Sequence, residues 1–127
     1  MAPERLKKRS DFQKAAKGRR FHATSFSMQV AARDEADAVP RVGLTVTKKE
    51  GGSVERNRIR RRLREVFRLN PALSLRPTHD YVLIARRAAL ATPFDRLCGE
   101  VEEAIRIIHR SKAQPRRDGI PRDQAKA

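Results

Sequence analysis

Residues 53–68, SVERNRIRRRLREVFR, hold seven arginines. A run this unbalanced ordinarily stays extended and solvated. Ile59, Leu63, Val66 and Phe67 argue against that, because they recur at i, i+4, i+7 and i+8, one stripe of a 3.6-residue helix. Ser53 stands where an N-cap belongs, and Glu55 falls in the first turn, where a carboxylate complements the helix dipole. The segment is therefore predicted to be an amphipathic helix over 54–69, anchored by its apolar stripe. Arg56, Arg58, Arg60, Arg61, Arg62, Arg64 and Arg68 then wrap the rest of the circumference, with only Glu55 and Glu65 to balance them. Crowded cations call for a polyanion, and the planar guanidinium fork matches phosphate better than a lysine ammonium does. A merely solvated basic face is the plain alternative. Asn57, between two arginines, can both donate and accept towards a base or sugar, but alone it is a weak signal.

The whole chain shares this bias. Its 127 residues suit one domain, and 30 Lys and Arg against 15 Asp and Glu leave a net charge of +15. Hydrophobic residues, at 39%, suffice for one modest core. Such charge disfavours a compact state and favours polyanionic partners, nucleic acid first and an anionic membrane second. The chain is expected to be marginally folded until anions screen it. Cys98 is the single cysteine, so no internal disulfide is possible, and His22, His79 and His109 are too scattered in sequence to suggest a zinc site. No apolar run approaches the length of a membrane span, and the basic start, MAPERLKKRSDF, lacks the apolar region of a secretory signal. A soluble cytoplasmic protein is the default expectation.

Along the chain, residues 1–9 are basic and expected to be mobile. Ser10 and Gln13 have capping-box spacing, predicting a helix over 10–17 that Gly18 ends. Residues 24–32 alternate, with Phe26, Met28 and Val30 against Ser25, Ser27 and Gln29, as a half-buried strand does. A polar turn, 33–40, leads to a second alternating strand, 41–49, with Val42, Leu44 and Val46 on one side and Gly43, Thr45, Thr47 and Lys49 on the other. After the arginine helix, 70–80 reads as loop. YVLIA, 81–85, reads as a strand covered on both sides. Thr92 and Pro93 read as N-cap and first residue of a long helix, 93–109, and 111–127 as a disordered basic tail. The fold class is α/β (α+β): one small sandwich over 1–110, in the order helix, strands, helix, strand, helix. Strand 41–47, helix 54–69 and strand 81–85 form a parallel βαβ crossover.

No Walker loop, GxSxG or HExxH is present, the acidic residues are scattered, and no catalytic residue is assigned. Cys98 lies on the last helix's apolar stripe and reads as a core thiol, and His79-Asp80 reads as turn chemistry. Ser27, Gln29, Thr45 and Thr47 would instead form a donor-rich floor for an extended single strand. Phe12 at its edge would stack on a base, or else pack as ordinary core.

RVGLTVTKKEGGSVERNRIRRRLRE, 41–65, resembles the signature of the bacterial ribonuclease P protein subunit: a strand, two lysines, a glycine, then Arg-Asn-Arg on a basic helix. LKKRSDFQKAAKG, 6–18, is similar to that family's first helix, and the similarity extends through DYVLIARRAA to about residue 110. The resemblance implies a left-handed βαβ crossover, against the general right-handed rule. It also implies a division of labour, in which a large RNA carries the Mg2+-dependent removal of the 5′ leader from precursor tRNA and the protein, monomeric when free of RNA, binds both. Lys48, Lys49, Arg56, Asn57, Arg58, Arg61 and Arg62 would face the catalytic RNA; Phe12, Ser27, Gln29, Thr45 and Thr47 would line the leader cleft; Mg2+ would be held by RNA and not by a protein metal site. The chain departs from the pattern at Ala16 and Gln29, where the family often has aromatics, which implies weaker stacking on the leader, by roughly 1–3 kcal/mol per base. A structural ribosomal protein and a duplex-DNA binder are the alternatives.

Overall fold

The computed structural model describes residues 3–33, 39–70, 73 and 75–110. The expected tail at 111–127 and most of the turn at 33–40 lie outside them. Five strands and four helices follow in order: β1 (Glu4–Arg5), α1 (Arg9–Ala16), β2 (Arg19–His22), β3 (Phe26–Ala32), β4 (Arg41–Thr45), a 3-10 turn (Lys48–Glu50), α2 (Ser53–Leu69), β5 (His79–Ala85), α3 (Ala88–Ala91) and α4 (Phe94–Arg110). The strands make one sheet in the order β1-β4-β5-β3-β2. β4 runs parallel to both β1 and β5, while β3 is antiparallel to β5 and β2. The expected β4–α2–β5 crossover is therefore present, in a mixed αβ sandwich.

Period-two alternation divides the sheet between two cores. Tyr81, Leu83 and Ala85 of β5 join Phe26, Met28 and Val30 of β3 on one face, under Ile59, Leu63, Val66 and Phe67 of α2 and Leu97, Val101, Ala104, Ile105 and Ile108 of α4. Val82, between these residues in sequence, points the other way and packs with Leu6 and Ala15, with Phe12, Ala31 and Ile84 around them. Both faces of β5 are thus covered, as its near-continuous apolar run predicts. The second face also holds a buried ionic cluster. Asp80 is 2% exposed and accepts two hydrogen bonds from Arg41 (Nε 2.8 Å, Nη2 2.7 Å), with Arg33 Nε at 3.3 Å. Arg41 also lies 3.3 Å from Asp11, which ties α1 to the sheet.

Several boundaries move, each for a local reason. The first segment is not mobile throughout: Glu4 and Arg5 pair with β4 and Leu6 is buried. Lys8, not Ser10, precedes α1, because the Lys8 carbonyl accepts the first bonds, from the Asp11 and Phe12 N–H groups (3.1 and 3.3 Å). Gly52, not Ser53, caps α2; its carbonyl accepts from the Arg56 N–H (2.9 Å) and its own N–H donates to Glu55 Oε1 (2.6 Å). At α4 the Leu97 N–H bonds the Pro93 carbonyl (2.9 Å), while the Thr92 hydroxyl donates to Ala88 O (2.9 Å) and closes α3 instead of capping α4. His79 and Asp80 belong to β5 and not to a loop. β2 and α3 have no strong period and went unpredicted. Gly18 lies where a Cβ would fall 2.0 Å from the Val30 carbonyl oxygen, so only glycine lets the end of α1 approach β3 this closely.

Candidate nucleic-acid interface

Helix α2 presents its arginines in three directions because its apolar seam fixes its rotation. Arg62 turns towards α3, where its Nε donates to Ala89 O (2.9 Å) and its Nη2 to Thr92 O. Glu55 lies on the same side, paired with Arg87 (3.1 Å); that pairing and the Gly52 N–H hold its carboxyl below the ordinary range. Arg58 and Arg61 point straight out, exposed, with no ion-pair partner among the described residues. Asn57, Arg60, Arg64 and Arg68 succeed one another at three- and four-residue spacing on the remaining side, with Arg60 Nη1 donating to Asn57 Oδ1 (3.1 Å). Arg56 is partly buried, its Nε on Gly51 O (3.1 Å).

The C-terminal part of this row, Arg64 and Arg68, lies at the edge of the sheet. β1 reaches only to Val42, so among the described residues β4 beyond it has no strand partner on that side. There a groove of about 280 Å³ opens, with Leu6, Phe12, Leu44 and Phe67 lining it and Arg5, Arg64 and Arg68 at its rim. Burial first, and then the charges of Arg5 and Arg60, pull the Arg64 guanidinium below its ordinary value. Arg5, Arg60, Arg64 and Arg68 were not singled out from sequence for this edge. The four-residue spacing of Arg60, Arg64 and Arg68 on α2 was the available signal, but only the seam's rotation and the short β1 show where it points.

The polar sheet face is more closed than its alternation suggested. Ser27, Ile84 and Thr45 lie in one row across the sheet, and Gln29, Val82 and Gly43 in the next. Thr45 is half-buried, but Ser27 and Gln29 are each only 7% exposed. The Ser27 hydroxyl accepts from Arg86 Nη2 (2.9 Å) and shares a hydrogen bond with His22 Nδ1 (2.7 Å). Burial and then the charges of Arg86 and Arg20 lower the His22 pKa. What the row offers a ligand is thus Arg86 and His22 rather than the serine. The signal for Arg86 was the charged pair ending an apolar strand.

Phe12 is seated on Gly43, where a Cβ would fall 2.6 Å from two of its ring carbons. It joins the second core and at the same time lines the groove. Ala16 is exposed, one turn further along α1. The expected alignment of Thr45, Thr47 and Lys49 on one strand does not form. β4 ends at Thr45, and bonds from the Glu50 N–H to Thr47 O (3.0 Å) and from the Gly51 N–H to Lys48 O (3.3 Å) wind the chain into a turn. Glu50 holds that turn by accepting the Arg87 N–H (2.8 Å), leaving Thr47, Lys48 and Lys49 exposed beside the start of α2.

His79 and His109, remote in sequence, meet edge to face with ring centroids 5.0 Å apart. Among the described residues no group of three His, Cys, Asp or Glu side chains could hold a metal, and no helix is long and apolar enough to cross a membrane. Cys98 is half-buried and accepts from Asn70 Nδ2 at 3.3 Å.

Residues 1–109 match the family model described as Ribonuclease P. The ribonuclease P protein component of Caulobacter vibrioides is 47% identical over 102 residues, covering 80% of this chain and 68% of that one. That of Ruegeria pomeroyi is 48% identical over 110 residues, covering 84% and 87%. Among solved structures, the RNase P protein of Staphylococcus aureus superposes with a TM-score of 0.67 at 32% identity, covering 81% of this chain and 93% of its own. The Thermotoga maritima RNase P protein, at 23% identity, shares the fold with a TM-score of 0.67 over 87% of this chain and 99% of its own. With its arginine helix, open sheet edge and sandwich accounted for by one match along nearly the whole described chain, the protein belongs to the ribonuclease P protein family.

Proposed function

We propose that the chain docks on the catalytic RNA of ribonuclease P through the outer side of α2 and the adjoining turn, and offers the sheet edge beside Phe12 to the 5′ leader of precursor tRNA. Family membership makes it the protein component of a ribonucleoprotein endoribonuclease acting in tRNA processing, with an RNA subunit as partner. In this reading Arg58 and Arg61, with Asn57, Lys48 and Lys49, meet RNA phosphates and sugars. Arg56 and Arg62 bind backbone carbonyls of this chain and keep only their remaining donors for RNA. The leader lies along the groove between α1 and α2, its phosphates on Arg5, Arg64 and Arg68 and a base against Phe12. Thr45, Thr47 and the Ser27–Arg86–His22 row extend the same path, with Gln29 supporting it from beneath. A mobile single strand suits such a path better than a duplex does, because it can lay bases on apolar side chains while its backbone follows the cations.

The reaction's divalent ion, Mg2+ in this reading, finds no cluster of three ligands among the described residues. Asp80 and Asp11 are engaged by Arg41, and Glu55 and Glu65 by Arg87 and Arg68. The reading therefore assigns the ion to the RNA and gives the protein charge neutralisation and positioning. The protein is placed in the cytoplasm, monomeric until it meets RNA. The ribosomal-protein alternative has no observation in its favour.

The observation that carries this reading is the pair of outward, unpartnered guanidinium groups of Arg58 and Arg61 on a helix that has no structural use for them. Its test is affinity for the catalytic RNA measured across salt concentrations. Arg58→Ala combined with Arg61→Ala should lower the slope of log affinity against log salt by about two, close to one per lost phosphate contact. An unchanged slope removes both residues from the interface.

A further inference from the structure

The end of the sheet away from Arg58 carries a second set of cations that the interface above does not use. β5 runs from His79 to Ala85, and the start of α2 is tied by Glu55 to Arg87, just past its far end. His79 therefore lies about 20 Å away, at the strand's rise per residue. At this pole the Tyr81 hydroxyl accepts the Arg76 backbone N–H (2.8 Å) and shares a hydrogen bond with His109 Nε2 (2.6 Å). Beside it opens a groove of about 290 Å³, with Ile105 and His109 lining it, Arg76, Arg106 and Arg110 around it and Glu102 as the opposing carboxylate.

Three guanidinium groups face one carboxylate here. Arg76 and Arg110 have no ion-pair partner among the described residues, and Arg106 reaches Glu103 only at 3.8 Å, both side chains exposed. The charge is felt nearby. Burial lowers both His79 and His109, and Arg76 is the strongest charge adding to that in each; Arg19 adds a smaller push in the same direction, Asp80 opposes it at His79, and His109 falls to about 4. Cations at a helix C-terminus normally answer the helix dipole. That accounts for Arg19, whose Nη1 donates to the Ile108 carbonyl (2.9 Å), but not for Arg76, which enters the same groove from the loop before β5.

We propose that this groove is a second phosphate-binding site, taking the backbone of an RNA segment other than the one held by α2, so that the protein bridges two stretches of the catalytic RNA about one sheet length apart. The proposal rests on the reading that the chain's ligand is that RNA. Guanidinium forks from two elements suit a phosphodiester approached from either side.

The test uses the full chain with the catalytic RNA. Arg76→Ala with Arg110→Ala should lower the salt slope by about two, as Arg58→Ala with Arg61→Ala does, and the two effects should add. The thermal midpoint of the Arg76/Arg110 variant should move little, by no more than the small dipole contribution of Arg110 at the end of α4, since neither guanidinium makes an ion pair within the described chain. Loss at 58/61 with none at 76/110 overturns the second site and leaves the α2 reading standing; the reverse overturns the α2 reading and keeps the second site. A second readout is the His109 ring proton in NMR titrations. A short RNA duplex should raise its titration midpoint from about 4, because a bound phosphate offsets the field of Arg76. Inorganic phosphate at equal phosphate concentration should leave it in place. An equal rise with inorganic phosphate would make this a free-anion site and refute the RNA bridge.

Discussion

Helices α2 and α4 are each seventeen residues long and pack on the same face of the sheet, yet they treat charge in opposite ways. α4 carries four carboxylates against three arginines, with Asp95 in its first turn and His109 and Arg110 in its last, the order its own dipole favours. α2 also has an acid, Glu55, in its first turn and a base, Arg68, in its last, but over its length it carries seven arginines against two glutamates. Nothing inside the fold asks for that excess. Arg62 ties α2 to α3 and Arg56 binds Gly51 O, while Arg58 and Arg61 touch no other part of the described chain by ion pair. An apolar seam decides where a helix sits, and the charge left over beyond what dipole and neighbours use indicates what it meets outside.

The comparison can be broken first at the seam. Leu63→Ala in α2 and Leu97→Ala in α4, both fully buried, should each cost about 2–5 kcal/mol in denaturant unfolding. A loss below about 1 kcal/mol at either would show that the two helices do not share one core. Arg62 and Arg61 are adjacent on α2 and should part company next. Arg62→Ala leaves the Ala89 and Thr92 carbonyls without their donor and should cost about 1–3 kcal/mol, while Arg61→Ala should leave the unfolding midpoint unchanged and weaken RNA binding. Equal effects of both on stability would mean that the inward and outward arginines are not distinct.

The smallest effect expected lies at the end of α4. The folded His109 titrates near 4 instead of its ordinary 6.5, so the unfolded chain takes up this proton first as pH falls. Its contribution to stability is fully present above pH 6.5 and is lost as the pH drops towards 4, with His79 and His22 shifted in the same direction. α2 has no histidine. Unfolding measured across that window should therefore flatten in His109→Gln; an identical slope would show that burial and the Arg76 charge do not hold the ring neutral.

Elements with a strong period were legible in the sequence. α2, α4, β3 and β5 came within a few residues of their bounds because each must turn one apolar face inward, and that need is written into residue spacing. Boundaries moved where a backbone carbonyl, rather than the expected side chain, took the first helical bond, as at Lys8, Gly52 and Pro93. β1 and β2 were missed because Glu4–Arg5 and Arg19–His22 are too short and too charged to alternate; they are strands only because β4 and β3 offer edges to pair with. The floor of hydroxyls was legible as a pattern but not as a surface, since Ser27 is consumed by His22 and Arg86, which come from separate strand ends.

By itself the sequence determined that this chain is an arginine-coated helix laid by its seam on a small αβ sheet, because periodicity and charge balance are local properties. Which arginines stay free, which bind carbonyls, and that His79 and His109 meet beside Arg76 were decided only by the tertiary structure. Those outcomes depend on the rotation of α2 about its seam and on contacts between residues dozens of positions apart, and neither is encoded in spacing along one segment.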